Sequence, residues 1–472
     1  LRRVLRDVTN VVFAWLFRFL LPALKWATLA ALVAGLVWIT IQKPMVPLLF
    51  LAGWALTWKV LPWLYVKIAR GLGFRAQMTP ITKKRVGRFR RIRRGHWSFV
   101  AITTLFVMSL FLELMVNSKP LVVHYQGKTA FPAVVEWVDK VVFFTSISPF
   151  QKKSDFGQDG ENEVDYPQFA RYAEDPALMK ADIDARTEAL EAEKAAFAEE
   201  YPEPAGDATE KQRERWQRRK ARVERRWTAE AEQLALLTEN QKVFASGDAW
   251  CIQPVYPYAP RDLRLDLDKN PPNKPSFAQG IPLGTDQSGR DVVPILLYGF
   301  RISLVFALVV AALGYAVGIV IAGIQGYYGG WVDIASQRFV EIWGSIPYLF
   351  TIMNIASLIQ PSLLMLIVLL VVLRSWLGIT YYVRGEFYRE KAKDYVQAAI
   401  GAGVSDRKII LGHILPNALV PVVTFAPFGI VAYIGSLVSL DYLGFGLPPG
   451  TPSWGALLRQ GLENVRHYPH LV

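Results

Sequence analysis

An all-α polytopic membrane protein carrying one large domain outside the bilayer is the fold predicted by three features of the sequence. The first is apolarity: of 472 residues, 52% are hydrophobic, and the mean hydropathy of +0.22 is high for an ordinary soluble protein. The second is the gathering of these residues into runs near the ~20-residue length of a bilayer-crossing helix. They occupy 26–40, 45–66 (interrupted by Lys59), 96–116, 302–324, 345–360, 363–381 and 414–440. The third is segregation of charge. Residues 1–116 hold 18 Lys/Arg against 2 Asp/Glu, 117–280 hold 23 against 28, and 281–472 hold 12 against 10. A globally basic nucleic-acid binder does not separate its charge in this way.

The short loops orient the spans. Residues 67–94 carry eleven Lys/Arg and no acid, and positive charge stays with the cytoplasm. That places the N-terminus inside, 117–297 outside (the periplasm of a Gram-negative cell), 326–344 and 382–413 inside, and the tail from Asp441 outside. The stretch 11–24 contains Arg18 and Pro22 and reads as an interfacial helix rather than a span. The absence of a small-residue cleavage pattern argues against a signal peptide. The stripe 83–94 (Lys83, Lys84, Arg85, Arg88, Arg90, Arg91, Arg93, Arg94) reads as topology determination and contact with anionic lipid headgroups, not nucleic acid.

In the external block, 119–178 and 246–300 are mixed in composition, with a β-like piece LVVHY at 121–125. Between them, 178–242 is rich in Ala, Glu, Lys and Arg. Ile183, Leu190 and Phe197 recur every seven residues, Trp216, Val223, Trp227 and Leu234 form a second stripe, and YPEPAGD interrupts the two. This predicts an antiparallel helical hairpin with an apolar seam and charged flanks, Glu214 and Arg218 forming one i,i+4 pair. Docking of a partner and a self-packing insertion both fit this pattern.

Signatures of catalysis are lacking. No G-x-x-x-x-G-K-[ST] loop is present to cradle a triphosphate and no G-x-S-x-G elbow. The five histidines are scattered, apart from His467 and His470, and lack metal-ligand spacing. The single cysteine, Cys251, excludes an internal disulfide framework and a Cys-based zinc site. The expectation is a chain that is not an enzyme, with no metal and no cofactor of its own.

One loop has unusual grammar. At 384–416, small residues cluster at Ala398, Ala399, Gly401, Ala402 and Gly403. The two glycines allow a sharp turn, and Ser405 with Asp406 are suited to cap a helix beginning at Arg407. Two short helices meeting at a corner of little bulk can seat in a partner's cleft; an ordinary helix-turn-helix connector fits the same residues.

This loop resembles the EAA loop of ABC-importer permeases, in which an E-A-A triplet is followed by a glycine four residues after the last alanine. The matching positions are Gln397, Ala398, Ala399 and Gly403, followed by His413, Leu415 and Pro416. LGTDQSGRDVVPILLYGFRISL (283–304), GYYGGWVD (326–333) and YLGFGLPPGTPSWG (442–455) are similar to further signatures of the dipeptide and oligopeptide branch. RFRRIRRGHWS (88–98) and NSKPLVVHYQGKTAFP (117–132) look like the microcin C and oligopeptide-type permease in particular.

The resemblance implies an ABC-importer permease core that pairs with a second permease subunit, cytoplasmic ATPase subunits holding ATP and Mg, and a periplasmic substrate-binding protein. It makes Ala398, Ala399 and Gly403 the coupling corner, with Gly401, Ser405 and Asp406 in it, and puts His413 and Pro416 where the loop re-enters the membrane. Gln397 departs from the family's acidic residue, which removes a salt bridge to the ATPase there but leaves a hydrogen bond possible. In this frame 1–77 is an N-terminal extension with two spans. Residues 78–116 are the basic linker and first core helix, 117–297 the periplasmic domain, and 298–472 the rest of the core, with the family's last span expected beyond Leu471.

Within the core, Gly314 and Gly318 form a small-x-x-x-small pair suited to helix packing or to a hinge. Arg374 lies inside an apolar run, where charge is costly; it either borders the translocation pathway, meeting a peptide carboxylate, or snorkels to the interface. Pro416, Pro421 and Pro427 predict a kinked final span. Two other classes share these features: a non-transporting scaffold whose external domain binds a partner, and an efflux permease.

Overall fold

A computed structural model describes residues 91–142, 164–204, 209–264, 266–267, 269–359 and 361–472. The predicted extension 1–77 and most of the basic stripe lie outside them. Two compact units are distinguished, one formed by Phe111–Ala259 and the other containing 91–110 together with Pro260–Val472. The external domain expected over 117–297 differs from this division, since residues from Pro260 onward belong to the same compact unit as the helical core.

The core begins with α1 (Arg93–Ser109), 17 residues long. The apolar run 96–116 is therefore not one helix: regular structure stops at Ser109, and the next helical turn, Leu112–Met115, belongs to the other unit.

In that unit, β1 (Val122–Tyr125) and β2 (Lys128–Ala130) form a hairpin, Val123 opposite Ala130. Gln126 (φ +48°) and Gly127 (φ +71°) make its two-residue turn, both with the positive φ that matches strand twist. Helices α2 (Pro132–Val142), α3 (Tyr166–Glu174), α4 (Pro176–Glu200) and α5 (Glu210–Ala245) follow. Then β3 (Ala249–Ile252) pairs antiparallel on the free edge of β1.

Helices α4 and α5 are the two arms of the expected hairpin. Asp175 caps α4, accepting from Ala177 N at 3.0 Å with Pro176 in the first turn, and Thr209 with Gln212 forms a capping box on α5. Ile183, Leu190 and Leu234 are buried, Phe197 meets Trp227 edge-to-face at 5.4 Å, and Arg186 pairs with Glu230 across the seam. The Arg218–Glu214 pair is 3.8 Å long and solvent-exposed, so it adds little. At the base, Tyr125 donates to Asn240 Oδ1 at 2.8 Å and packs on Phe169 and Phe244. Leu190→Ala should cost about 2–4 kcal/mol through the cavity it leaves. Hydrogen exchange is then expected to show faster amide exchange along Glu210–Ala245 with the core helices unchanged.

The rest of the core starts at α6 (Val292–Tyr328), 37 residues and so roughly 55 Å long, well beyond the ~30 Å of hydrocarbon. Asp291 caps it, accepting from Val293 N at 2.9 Å, and Gly329 (φ +66°) ends it. The segment predicted as an inside loop, 326–344, is instead mostly helical: α7 (Gly330–Gly344) joins α8 (Tyr348–Leu358) at a 61° bend. Ser345–Ile346–Pro347 makes the break, since Pro347 lacks the N–H a continuing helix needs. The predicted span 345–360 is thus one leg of a bent pair.

The run 363–381 is also bent. Helix α9 (Leu363–Leu370) passes through a π-helical segment, Val371–Ser375, into α10 (Leu377–Lys391), with a 46° change of direction. Beyond it come α11 (Asp394–Gly401), a second π segment at Ile409–Ile414, a turn at Leu415–Ala418, and α12 (Val420–Leu443). Of the three prolines, Pro416 lies in the short turn and Pro421 in the first turn of α12, where its missing donor costs nothing; Pro427 alone lies inside the helix. Helix α13 (Trp454–Glu463) packs back against α12.

Phe306, Val310, Ile352, Leu366, Leu370, Phe387 and Leu437 centre the packing of this unit. Helix α6 crosses 375–387 closely through Gly314, Gly318 and Gly326. A Cβ on Gly314 would overlap Ser375, one on Gly318 would lie 2.7 Å from Trp376 O, and one on Gly326 3.1 Å from Arg384 O. Leu313, Val320, Val423, Phe428 and Val431 are exposed, an apolar exterior of the kind hydrocarbon or another membrane subunit covers.

Candidate functional site

The corner expected between two short helices is formed at 394–409. Helix α11 ends in a Schellman motif: Val404 N donates to Ala399 O at 3.1 Å and Gly403 N to Ile400 O at 3.0 Å, with Gly403 at φ +71°. Gly401 is still helical, so the sharp turn rests on Gly403. The following turn starts at Asp406, one residue before the expected Arg407, and Ser405 makes no side-chain capping bond. Ser405 caps with its carbonyl, which accepts from Lys408 N and Ile409 N.

Two buried side chains, Val396 and Ile409, root the corner in the core. Gln397, Ala398, Ile400, Gly401, Ala402, Gly403, Ser405 and Asp406 are exposed and Ala399 half-buried. The result is a projecting edge of small side chains on a fixed backbone.

Polar ties hold this edge to the long helices. Asp406, rather than capping, accepts from Tyr327 OH at 2.6 Å, which fixes the corner to the end of α6. Lys391 Nζ donates to Tyr327 O and sits 5.1 Å from its ring centroid, joining the end of α10 to the same point. Asp333 and Arg384 form a two-pronged ion pair between α7 and α10. Tyr395 donates to Glu390 Oε2 at 2.7 Å and accepts from Asn417 Nδ2 at 3.1 Å. Its partial burial and this carboxylate raise the Tyr395 pKa above the usual phenol value, so the hydroxyl keeps its proton. Asn417 also donates to His413 O at 3.1 Å; Pro416 lies beside it, exposed.

Gln397, though exposed, has its side-chain amide tied to the end of α10. Its Nε2 donates to Lys391 O at 2.7 Å, satisfying a carbonyl at the end of α10, which a carboxylate cannot do. Tyr327, Asp333, Arg384, Lys391 and Asn417 carry no local signal of these ties in the sequence. Tyr327 and Asp333 stood inside the GYYGGWVD block, but their partners are 79 and 51 residues away.

The other two signature blocks brace the far end of α6. Asp286 is fully buried and accepts from Ser288 N, Arg290 N and the Arg290 guanidinium. Arg264 grips Asp266 and the Gln279 carbonyl. Asp441, just before the second block, accepts from Leu447 N and Ser453 Oγ within it, and Trp454 Nε1 donates to Leu296 O at 3.0 Å, joining α13 to α6. Gly314 and Gly318 lie where α6 meets 375–380, away from the corner. Arg374 is also remote from the corner, on the π segment, where it lines a cavity of about 650 Å³.

Residues 314–465 match the family described as "Binding-protein-dependent transport system inner membrane component". The chain is 33% identical over 391 residues to the inner membrane ABC transporter permease protein YejE of Escherichia coli, covering 83% of this chain and 89% of that one. It is 32% identical to the peptidoglycan transport system permease protein YejE of Agrobacterium fabrum, covering 83% and 86%. The oligopeptide transport system permease protein OppC of Haemophilus influenzae is 30% identical over 61% of this chain and 90% of its own. The helical unit combines long apolar helices with a braced, exposed corner of small residues, and the chain belongs to the ABC-transporter permeases of binding-protein-dependent systems, in the dipeptide and oligopeptide branch.

Proposed function

We propose that this chain is one permease subunit of an ATP-driven importer for peptides or peptide-like compounds, microcin C-type compounds among them, and that 394–409 is the edge through which ATP drives it. The relatives named for oligopeptide and peptidoglycan transport support the substrate class. In this reading the N-terminus and the corner face the cytoplasm and Phe111–Ala259 faces the periplasm. A second permease subunit completes the pathway as a heterodimer. Cytoplasmic ATPase subunits bind ATP and Mg, and a periplasmic protein delivers substrate.

The observation that carries the proposal is the combination of exposure and bracing at one corner. Ala398, Ala402 and Gly403 are exposed, while Asp406 and Lys391 both converge on Tyr327. A push on the corner therefore reaches the ends of α6 and α10 without being absorbed locally. Each nucleotide state of the ATPase would favour one arrangement of these helices, which is what alternating access requires.

The test uses Ala402→Cys in a Cys251→Ser background within the purified complex. A short bifunctional thiol reagent is expected to join residue 402 to an ATPase subunit carrying a cysteine scan of its surface, with a yield that changes on adding ATP. Failure of every scanned position to react, with the complex intact, would overturn the coupling assignment.

A further inference from the structure

Arg374 occupies a setting built for it. A π-helical turn leaves backbone carbonyls without regular partners and is kept mostly where a side chain must be re-aimed. In Val371–Ser375 two of those carbonyls are taken by side chains from outside the segment. Val372 O accepts from the Trp343 indole at 3.0 Å and from the Trp376 indole at 2.9 Å, and Ser375 O accepts from Tyr433 OH at 3.0 Å. Gly314 is bare because Ser375 fills the space of its missing Cβ. Four other side chains or gaps thus stabilise a distorted turn, and the one charged group on that turn is Arg374.

Arg374 lines the cavity of about 650 Å³ together with Tyr315, Tyr381, Tyr382, Phe425 and Tyr433. Its carbon lies 5.2 Å from the Tyr348 ring centroid, which holds the group without neutralising it. No carboxylate among the described residues forms an ion pair with it; Glu341, on the same wall, is engaged by Arg338 at 2.5 Å. An arginine within a membrane helix is costly unless it meets water or an anion, and its planar fork suits a carboxylate held in two bonds. The aromatic walls suit the apolar body of a small ligand.

We propose that Arg374 and this cavity form a subsite for the terminal carboxylate of the transported peptide; the proposal rests on the peptide-import reading above. The π segment is then a positioning device, and α6, through Gly314, links the occupied subsite to the helix whose other end carries Tyr327 and the corner.

The experiment compares uptake of a random mixture of short peptides with free carboxyl ends and of the same mixture with amidated ends. The complete transporter is reconstituted with its binding protein, and internalised species are read by mass spectrometry. The binding protein's own preference is common to every permease variant and divides out. For Arg374→Gln, uptake of free-carboxyl peptides is expected to fall roughly tenfold relative to wild type, while uptake of amidated peptides is unchanged. For Arg374→Lys, which keeps the charge but not the fork, an intermediate loss is expected. Equal loss for both mixtures in Arg374→Gln would make the residue structural and overturn the subsite. An unchanged ratio of the two mixtures, with uptake dependent instead on anionic lipid in the vesicles, would assign the guanidinium to a headgroup and also overturn it. Absence of ATP-dependent uptake of either mixture by the wild-type complex would sink the peptide-import reading itself, a result distinct from loss of discrimination alone.

Discussion

In Gly403→Val, ATP-dependent uptake is expected to fall more than tenfold while ATP hydrolysis by the assembled complex continues. The residue sits at φ +71°, a conformation that costs a β-branched side chain about 1–2 kcal/mol or more. Within the chain itself a Cβ at this position meets nothing within 4 Å, so the substitution creates no clash that would unfold the subunit. The damage falls on the Schellman turn and on the space in front of it, which the proposed ATPase partner would enter. Gly403→Asn separates these effects, because asparagine tolerates a left-handed backbone yet still adds bulk. Uptake near wild type in Asn but not in Val would assign the defect to the backbone; loss in both would assign it to the space a partner fills. Gly412→Ala, also open within 4 Å but beyond the corner, should transport normally. Full uptake by Gly403→Val would remove the corner from the coupling mechanism.

The sequence was readable where one chemical property repeats over many residues and opaque where structure depends on a single distant partner. The apolar runs gave α6 and α12 because hydrocarbon imposes length and composition together. They did not give the 46° bend, since the π segment at Val371–Ser375 contains no proline or glycine and has only its tertiary partners to mark it; the 61° bend is marked by Pro347, which the apolar run 345–360 passes over. The hairpin was legible because Ile183, Leu190 and Phe197 keep a heptad spacing that only a helix turns into a seam. At the corner, the small residues located the edge, and Gly403 was legible as a turn. Gly401 does not make the turn and is still helical: small residues gather for lack of bulk as well as for backbone freedom, and nothing local distinguishes the two. Gln397 shows the opposite limit. Read against a family motif it was a lost acid, whereas its bond to Lys391 O makes the amide a cap for α10. Asp406 likewise promised a cap and instead reaches Tyr327, a pairing that sequence distance hides.

Gly318→Leu should destabilise the core more than any exposed substitution discussed above. The Cβ alone would overlap the Ile379 side chain and approach Trp376 O to 2.7 Å, and a backbone oxygen inside a packed helix cannot swing away as the end of a long side chain can. Overpacking of this kind costs about 1–3 kcal/mol or more. The strain is resolved by moving α6 away from α10, which weakens the Thr380 Oγ1 bond to Gly318 O and loosens the Gly326–Phe387 crossing two turns further along. Next in line are the Tyr327 contacts to Asp406 and Lys391, so the corner loses its brace without being touched. Thermal denaturation of the purified complex should show a midpoint lower by roughly 5 °C or more, and the remaining folded complex should hydrolyse ATP with weakened uptake. Gly435→Ala, on α12 with nothing within 4 Å, should change neither. A Gly318→Leu complex that melted like wild type would mean that α6 and α10 do not pack as closely as their glycines imply, and the path from corner to cavity would have to run through α7 and the Asp333–Arg384 pair instead.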